Sequence, residues 1–189
     1  MELMENNSKQ GLNNLTKKLV TESWLEKFVN TGSGWLIIIS GSMAPLIQIK
    51  DQILIKKTTP SHVHIGDIIT FWQNNNLVTH RVIRKFKKGE NTYFVEKGDA
   101  NANYSCIDAQ ATIGIVTKVK KGEREIDVDV LLWKTFNRTI GIGLLSAFVL
   151  RAIGRRIPAV PEWSKNLVRR AFAIFVWFKD KTLKIMLHQ

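Results

Sequence analysis

Residues 68–86 read I-I-T-F-W-Q-N-N-N-L-V-T-H-R-V-I-R-K-F. Two runs rich in β-branched and aromatic residues flank Asn74-Asn75-Asn76, and runs of this kind punctuated by turn-forming residues predict β-strands. The same texture extends both ways: W-L-I-I-I from Trp35, I-Q-I-K-D-Q-I-L-I-K-K from Ile47, T-Y-F-V-E-K from Thr92 and T-I-G-I-V-T-K-V-K from Thr112. Gly66-Asp67, Gly89-Glu90-Asn91 and Gly98-Asp99 mark the breaks, since these residues tolerate turn geometry. The expectation is a mainly β domain over residues 35–122.

Different patterns flank it. Leu12, Leu15, Leu19, Leu25 and Phe28 recur at spacings near three and four, with Lys17, Lys18, Glu22, Glu26 and Lys27 between them. That periodicity predicts an amphipathic helix ended by Thr31-Gly32-Ser33-Gly34, so residues 1–34 form a helical N-terminal unit. The opening M-E-L-M-E-N-N-S-K-Q-G-L-N-N-L carries early acids and no apolar run, which does not read as a signal peptide. Residues 123–189 turn helical again, with L-L-W-K-T-F, G-I-G-L-L-S-A-F-V-L and A-F-A-I-F-V-W-F set among Arg and Lys and interrupted at Pro158 and Pro161. No stretch supplies the roughly 20 apolar residues of a spanning helix; Thr139 to Leu150 is too short.

The chain has 189 residues, 44% hydrophobic, a formal charge of +12 and a pI near 10.0, which calls for an anionic partner. From residue 118 onward there are fifteen Lys and Arg against six Asp and Glu. Apolar helix faces flanked by cations suit a membrane interface, and they equally suit a helical cap on the β domain. Of the six tryptophans, Trp133, Trp163 and Trp177 are the candidates for membrane contact. A single cysteine, Cys106, excludes an intramolecular disulfide and a thiol metal pair. His62 and His64 stand two apart, without the nearby Cys or paired acid that would complete a metal shell.

Ser40-Gly41-Ser42-Met43-Ala44-Pro45 follows an apolar strand, and its glycine and proline force a sharp exit that would hold Ser42 oriented. A serine beside glycine is equally an ordinary loop residue. His80 is a polar residue among Val78, Val82 and Ile83; imidazole titrates near neutrality and can take a proton from a serine hydroxyl. A third group that fixes the imidazole could be Asp99 or Asp108 in K-G-D-A-N-A-N-Y-S-C-I-D, and both are also typical turn residues.

Three segments in this order, S-G-S-M-A-P at 40–45, G-D-I-I-T-F-W with T-H-R-V-I at 66–83 and K-G-D-A-N-A-N at 97–103, resemble the signal peptidase I family over roughly residues 35–120. In the bacterial branch of that family a lysine base precedes R-V-I, whereas the archaeal and endoplasmic reticulum branch has histidine there, and His80 is similar to the second. The resemblance implies a signal-peptidase-like β catalytic domain with Ser42 as nucleophile and His80 as general base. It implies an aspartate after the K-G-D motif as the orienting acid, a choice between Asp99 and Asp108 in which we favour Asp108, with Asp99 shaping the site; it also implies the hydroxyl of Ser40 with the backbone N–H of Ser42 as oxyanion donors. It also implies a precursor protein or leader peptide as substrate, with small residues at the first and third positions before the cut. No cofactor and no metal is implied. The family's usual membrane anchor is replaced here by an amphipathic helix, so peripheral membrane attachment is expected, with a cytoplasmic enzyme as the alternative.

Two rival readings exist. A self-cleaving repressor of the related clan expects a lysine base and an N-terminal DNA-binding module, against which His80 stands. A basic β-barrel module binding nucleic acid or anionic lipid without catalysis leaves three ordered motifs unexplained, so nucleic acid is not the expected partner.

Overall fold

The two runs around the asparagines pair antiparallel as β3 (Ile68–Gln73) and β4 (Asn76–Lys88), with Gln73 opposite Asn76. Asn74 and Asn75 form the two-residue loop at φ of 50° and 59°, the left-handed pair of a hairpin turn whose twist matches the strands. The structure, a computed structural model, describes residues 23–156 and 162–188. The first part of the expected N-terminal helix, the reading of the N-terminus, and Pro158 and Pro161 lie outside the described residues.

Within them the chain is mainly β. A short helix, α1 (23–31), leads into β1 (Ser33–Ile37), β2 (Gln52–Lys57), β3 and β4, then β5 (Asn91–Lys97), β6 (Ser105–Asp108), β7 (Thr112–Lys121) and β8 (Arg124–Asp127). All pairings are antiparallel in one curled sheet of order β1-β2-β7-β3-β4-β5-β6, with β8 added to β7. The helices α2 (Leu131–Arg156) and α3 (Glu162–His188) follow.

One expected strand is shorter than its sequence pattern. Residues 47–51 alternate like a strand but form a turn, because the Asp51 carboxylate accepts the Gln48 N–H at 2.7 Å and Lys50 takes a positive φ of 76°. The turn sends Leu46 and Ile47 into the core at 0% exposure, each contributing about 1.5–3 kcal/mol relative to an exposed side chain.

The sheet buries side chains on both faces. Ile69, Phe71, Val82 and Phe94 pack on one face with Val63, Ile107 and Ala109. Ile53, Ile55, Ile68 and Ile83 pack on the other, where Trp133, Ile140 and Leu144 of α2 and Leu183 of α3 cover them. Strand alternation therefore decides what each residue of β4 meets: His80 and Val82 face the first cluster, Arg81 and Ile83 the helices.

The C-terminal helices cap the sheet and keep an apolar surface outside. Trp133 is buried in the cap, which removes it from the candidates for membrane contact, whereas Trp177 is exposed. No helix among the described residues is long and apolar enough to cross a membrane.

The hairpin loop offers a test of backbone fit. Asn75→Val should destabilise the protein by about 1–2 kcal/mol, because a β-branched residue is strained in the left-handed region, while Asn75→Gly should be neutral or stabilising; chemical denaturation measures both.

Candidate active site

Ser42 sits where the chain leaves β1. Ile38 is still tied to the neighbouring segment, its N–H donating to the Asp51 carbonyl at 2.8 Å and its carbonyl accepting from Lys50 N–H at 2.9 Å. A tight turn follows, closed by Ala44 N–H to the Gly41 carbonyl at 3.1 Å and containing the cis peptide Ala44–Pro45. Met43, Leu46 and Ile47 are buried immediately after it, so apolar anchors hold the serine while leaving it partly open.

His80 reaches the serine from β4. Its Nε2 lies 3.2 Å from Ser42 Oγ, and its Nδ1 lies 2.5 Å from Oε2 of Glu96 on β5. Glu96 is 1% exposed. An ionised carboxylate can only accept, so opposite one Nδ1 is the donor, and in the neutral ring that leaves Nε2 to accept from the serine hydroxyl. Ser40 Oγ stands 3.4 Å from Ser42 Oγ. A hydroxyl, an imidazole and a buried acid in this order can pass the hydroxyl proton to the ring while the acid stabilises the resulting imidazolium.

Register explains the acid. Val82 pairs with Glu96, so Glu96 shares a face with Val82 and His80 and meets the imidazole along the diagonal. The position across from His80 is Gly98, where an added Cβ would lie 2.7 Å from the Ser42 carbonyl and 3.0 Å from His80 Nε2. Only glycine leaves room there for the hydroxyl and the ring to meet.

The expected acid, Asp108, is elsewhere. It pairs with Tyr93, three residues from Glu96 and so about 10 Å along the strand, and its carboxylate accepts the Gln110 N–H at 2.8 Å to cap a 3-10 turn. A corrected assignment therefore puts Glu96, not Asp108, on the imidazole. The sequence signal was a lone acid in F-V-E-K two positions before Gly98, and only the register distinguishes it from its neighbours.

Asp99 faces away from His80. It takes a two-pronged contact from the fully buried Arg81, Nε to Oδ1 at 2.8 Å and Nη2 to Oδ2 at 2.7 Å. Arg81 Nη1 also donates to the Gly66 carbonyl at 2.8 Å and to Asn137 Oδ1 at 2.9 Å. Burial alone would raise the Asp99 pKa, but the Arg81 charge and hydrogen bonds, helped by Lys179 and Lys97, outweigh it and hold the carboxyl below its ordinary range. Burial in turn lowers the Lys97 ammonium, with Asp99 opposing. The turn after Asp99 reaches back to the serine through Ala100 N–H, which donates to the Ser42 carbonyl at 2.9 Å.

A cleft of about 300 Å³ opens at Ser42, walled by Ile37, Ile38 and Ile39 on one side and Leu77, Val78 and His80 on the other. A larger hollow of about 590 Å³ lies by Lys56, His62, His64 and Arg138 and shares no residue with it; among the described residues no carboxylate pairs with its Thr59-bound His62, whereas Glu96 stands behind His80, so chemistry favours the smaller cleft. His62 bonds Thr59 Oγ1 at 2.8 Å and His64 lies beside Asp67. Among the described residues no cluster of His, Cys, Asp or Glu is placed to hold a metal.

Because the folded Asp99 carboxyl titrates below its unfolded value, its contribution to stability is present above the ordinary carboxylate range and is lost as pH falls through the folded pKa. Arg81→Met should cost about 3–5 kcal/mol at neutral pH by stranding that carboxylate. Asp99→Asn should flatten the acid limb of a stability profile, measured by denaturation between neutral and acid pH.

No protein-family model matches this chain. It is 42% identical over 67 residues to signal peptidase I W of Bacillus subtilis (strain 168), covering 34% of this chain and 35% of that protein. It is 30% identical over 81 residues to the signal peptidase complex catalytic subunit SEC11 of Chaetomium globosum, covering 41% of this chain and 47% of that protein. The matched stretch spans less than half of either relative. Both proteins to which this stretch is similar are named as signal peptidases.

Proposed function

We propose that this chain is a serine endopeptidase that removes signal or leader peptides from precursor proteins. The observation that carries the reading is the hydrogen-bonded series Ser42, His80 and Glu96, with 3.2 Å between hydroxyl and imidazole and 2.5 Å between imidazole and acid. In this reading Ser42 Oγ attacks the scissile carbonyl while Nε2 takes its proton. The tetrahedral oxyanion accepts hydrogen bonds from the Ser42 N–H and the Ser40 hydroxyl, each worth on the order of 3 kcal/mol in the transition state. Collapse expels the amine, which receives the proton from Nε2, and leaves an acyl ester on Ser42. A water then attacks, again with His80 as base, and frees the new carboxylate.

The substrate in this proposal is an extended segment. β5 pairs with β4 only from Arg81 onward, so the first half of β4 has an open edge facing the continuation of β1 across the cleft. An extended peptide laid between two such edges is recognised by main-chain hydrogen bonds, with alternate side chains entering the apolar wall.

The enzyme is further proposed to work at a membrane surface. Ile174, Trp177, Phe178 and Ile185 of α3 are each more than half exposed, and Arg169, Arg170, Lys181 and Lys184 lie on the same helix. Lys181 Nζ stands 4.9 Å over the Trp177 ring. An outward apolar stripe with interspersed cations suits an anionic lipid interface.

Ser42→Ala and His80→Ala should each reduce cleavage of a leader-bearing precursor by on the order of 10⁵-fold, and Glu96→Gln by about 10⁴-fold, with unchanged unfolding curves for the first two. A serine-reactive peptide probe should label Ser42; labelling elsewhere, or full turnover by either alanine variant, removes the proposal. Trp177→Ser with Phe178→Ser should weaken sedimentation with phosphatidylglycerol vesicles by at least about ten-fold, and tighter binding to duplex DNA than to vesicles would favour the non-catalytic module instead.

A further inference from the structure

Ser42, His80 and Glu96 come from the β sheet and the turn beside it, yet two polar side chains from the C-terminal helices reach the ion pair next to them. Asn137 of α2 and Lys179 of α3 are 6% and 4% exposed. Asn137 Oδ1 accepts from Arg81 Nη1 at 2.9 Å. Lys179 Nζ stands 3.5 Å from the Asp99 carbonyl and 3.2 Å from Asp180 Oδ1. A buried polar group on a capping helix costs free energy unless it is matched.

We propose that Asn137 and Lys179 are positioning residues for the peptidase site, acting through Arg81 and Asp99 on His80 and Ser42. The inference deepens the proposed function and rests on it. Arg81 follows His80 directly and Asp99 follows Gly98, so the ion pair on the helix side and the reacting pair on the cleft side share the same two backbone segments. Asp99 opens the turn whose Ala100 N–H holds the Ser42 carbonyl, and Gly98 runs against the imidazole. A shift of the ion pair therefore moves serine and histidine relative to each other, and misplacement by about 1 Å can cost on the order of 10²-fold in rate.

The helix contact is close enough to transmit such a shift. Gly66, whose carbonyl also accepts from Arg81, has φ of 95°, and a Cβ there would lie 2.5 Å from the Asn137 carbonyl. A Cβ on Gly141 of α2 would lie 2.6 Å from the Gly66 nitrogen. Helix backbone thus rests directly on the loop that closes around the guanidinium, and Asn137 supplies the acceptor that this loop leaves unfilled. Lys179 adds a third cation, beside Arg81 and Lys97, around the one carboxylate of Asp99.

Asn137→Leu keeps the shape and removes the acceptor, Asn137→Asp keeps an acceptor in a cluster richer in cations than carboxylates, and Lys179→Met removes the charge. Measured on a leader-bearing peptide well below each variant's Tm, Asn137→Leu and Lys179→Met should lower kcat about ten-fold with KM unchanged. They should slow Ser42 labelling by a serine-reactive phosphonate to the same degree, and Asn137→Asp should recover most of both. Unchanged kcat and labelling in Asn137→Leu and Lys179→Met, or losses that follow Tm equally in Asn137→Leu and Asn137→Asp, would overturn the proposal. Failure of the parent reading gives a different result, equal phosphonate labelling of the unaltered protein and of Ser42→Ala.

Discussion

A guanidinium taken entirely out of water costs free energy for each N–H left without an acceptor. Arg81 is in that position at 0% exposure. Its acceptors come from far apart in the chain: the Asp99 carboxylate after β5, the Gly66 carbonyl before β3 and the Asn137 amide on α2. A buried ion pair adds little net stability over an apolar core; what it supplies here is placement, since two loops and a helix must arrive together to satisfy one side chain. The neighbour of that side chain in the sequence is the imidazole of the cleft.

The two faces of the β4 and β5 pair thus divide the labour. Toward the cleft stand His80, Val82, Glu96 and Gly98, and toward the helices stand Arg81, Ile83, Lys97 and Asp99. On the first face His80 reaches the cleft with Glu96 buried behind it, and the polar residues on the second are matched inside the protein. The glutamate arm suits the diagonal step across two strands, because the direct partner position must be empty of side chain for the serine to approach.

Much of this was legible in the residues before any fold was known. The β-branched runs and their Asn and Gly breaks located the sheet, and the apolar periodicity after Asp129 located the helices, because both signals are local. Ser42 and His80 stood out because their residue types and motifs are specific. Glu96 did not, since in T-Y-F-V-E-K it is an ordinary strand residue until the register with Val82 places it beside the ring. Asp108 looked better placed by order along the chain, but chain order carries no information on which strand positions lie diagonal to each other. Residues 47–51 misled for a related reason: alternation is shared by strands and by turns that one side chain, here Asp51, closes from within.

The alternation at residues 80 and 81 also bears on folding fidelity. Sliding β4 by a single position would exchange the two side chains, pushing an arginine into the cleft and an imidazole beneath the helices. The misaligned chain would leave Asp99 facing a group of the wrong shape and charge, and Gly66 and Asn137 with no donor. Such a species is penalised long before any substrate arrives, so the buried cation acts as a proofreading check, admitting to the native state only those molecules whose strands are aligned for chemistry.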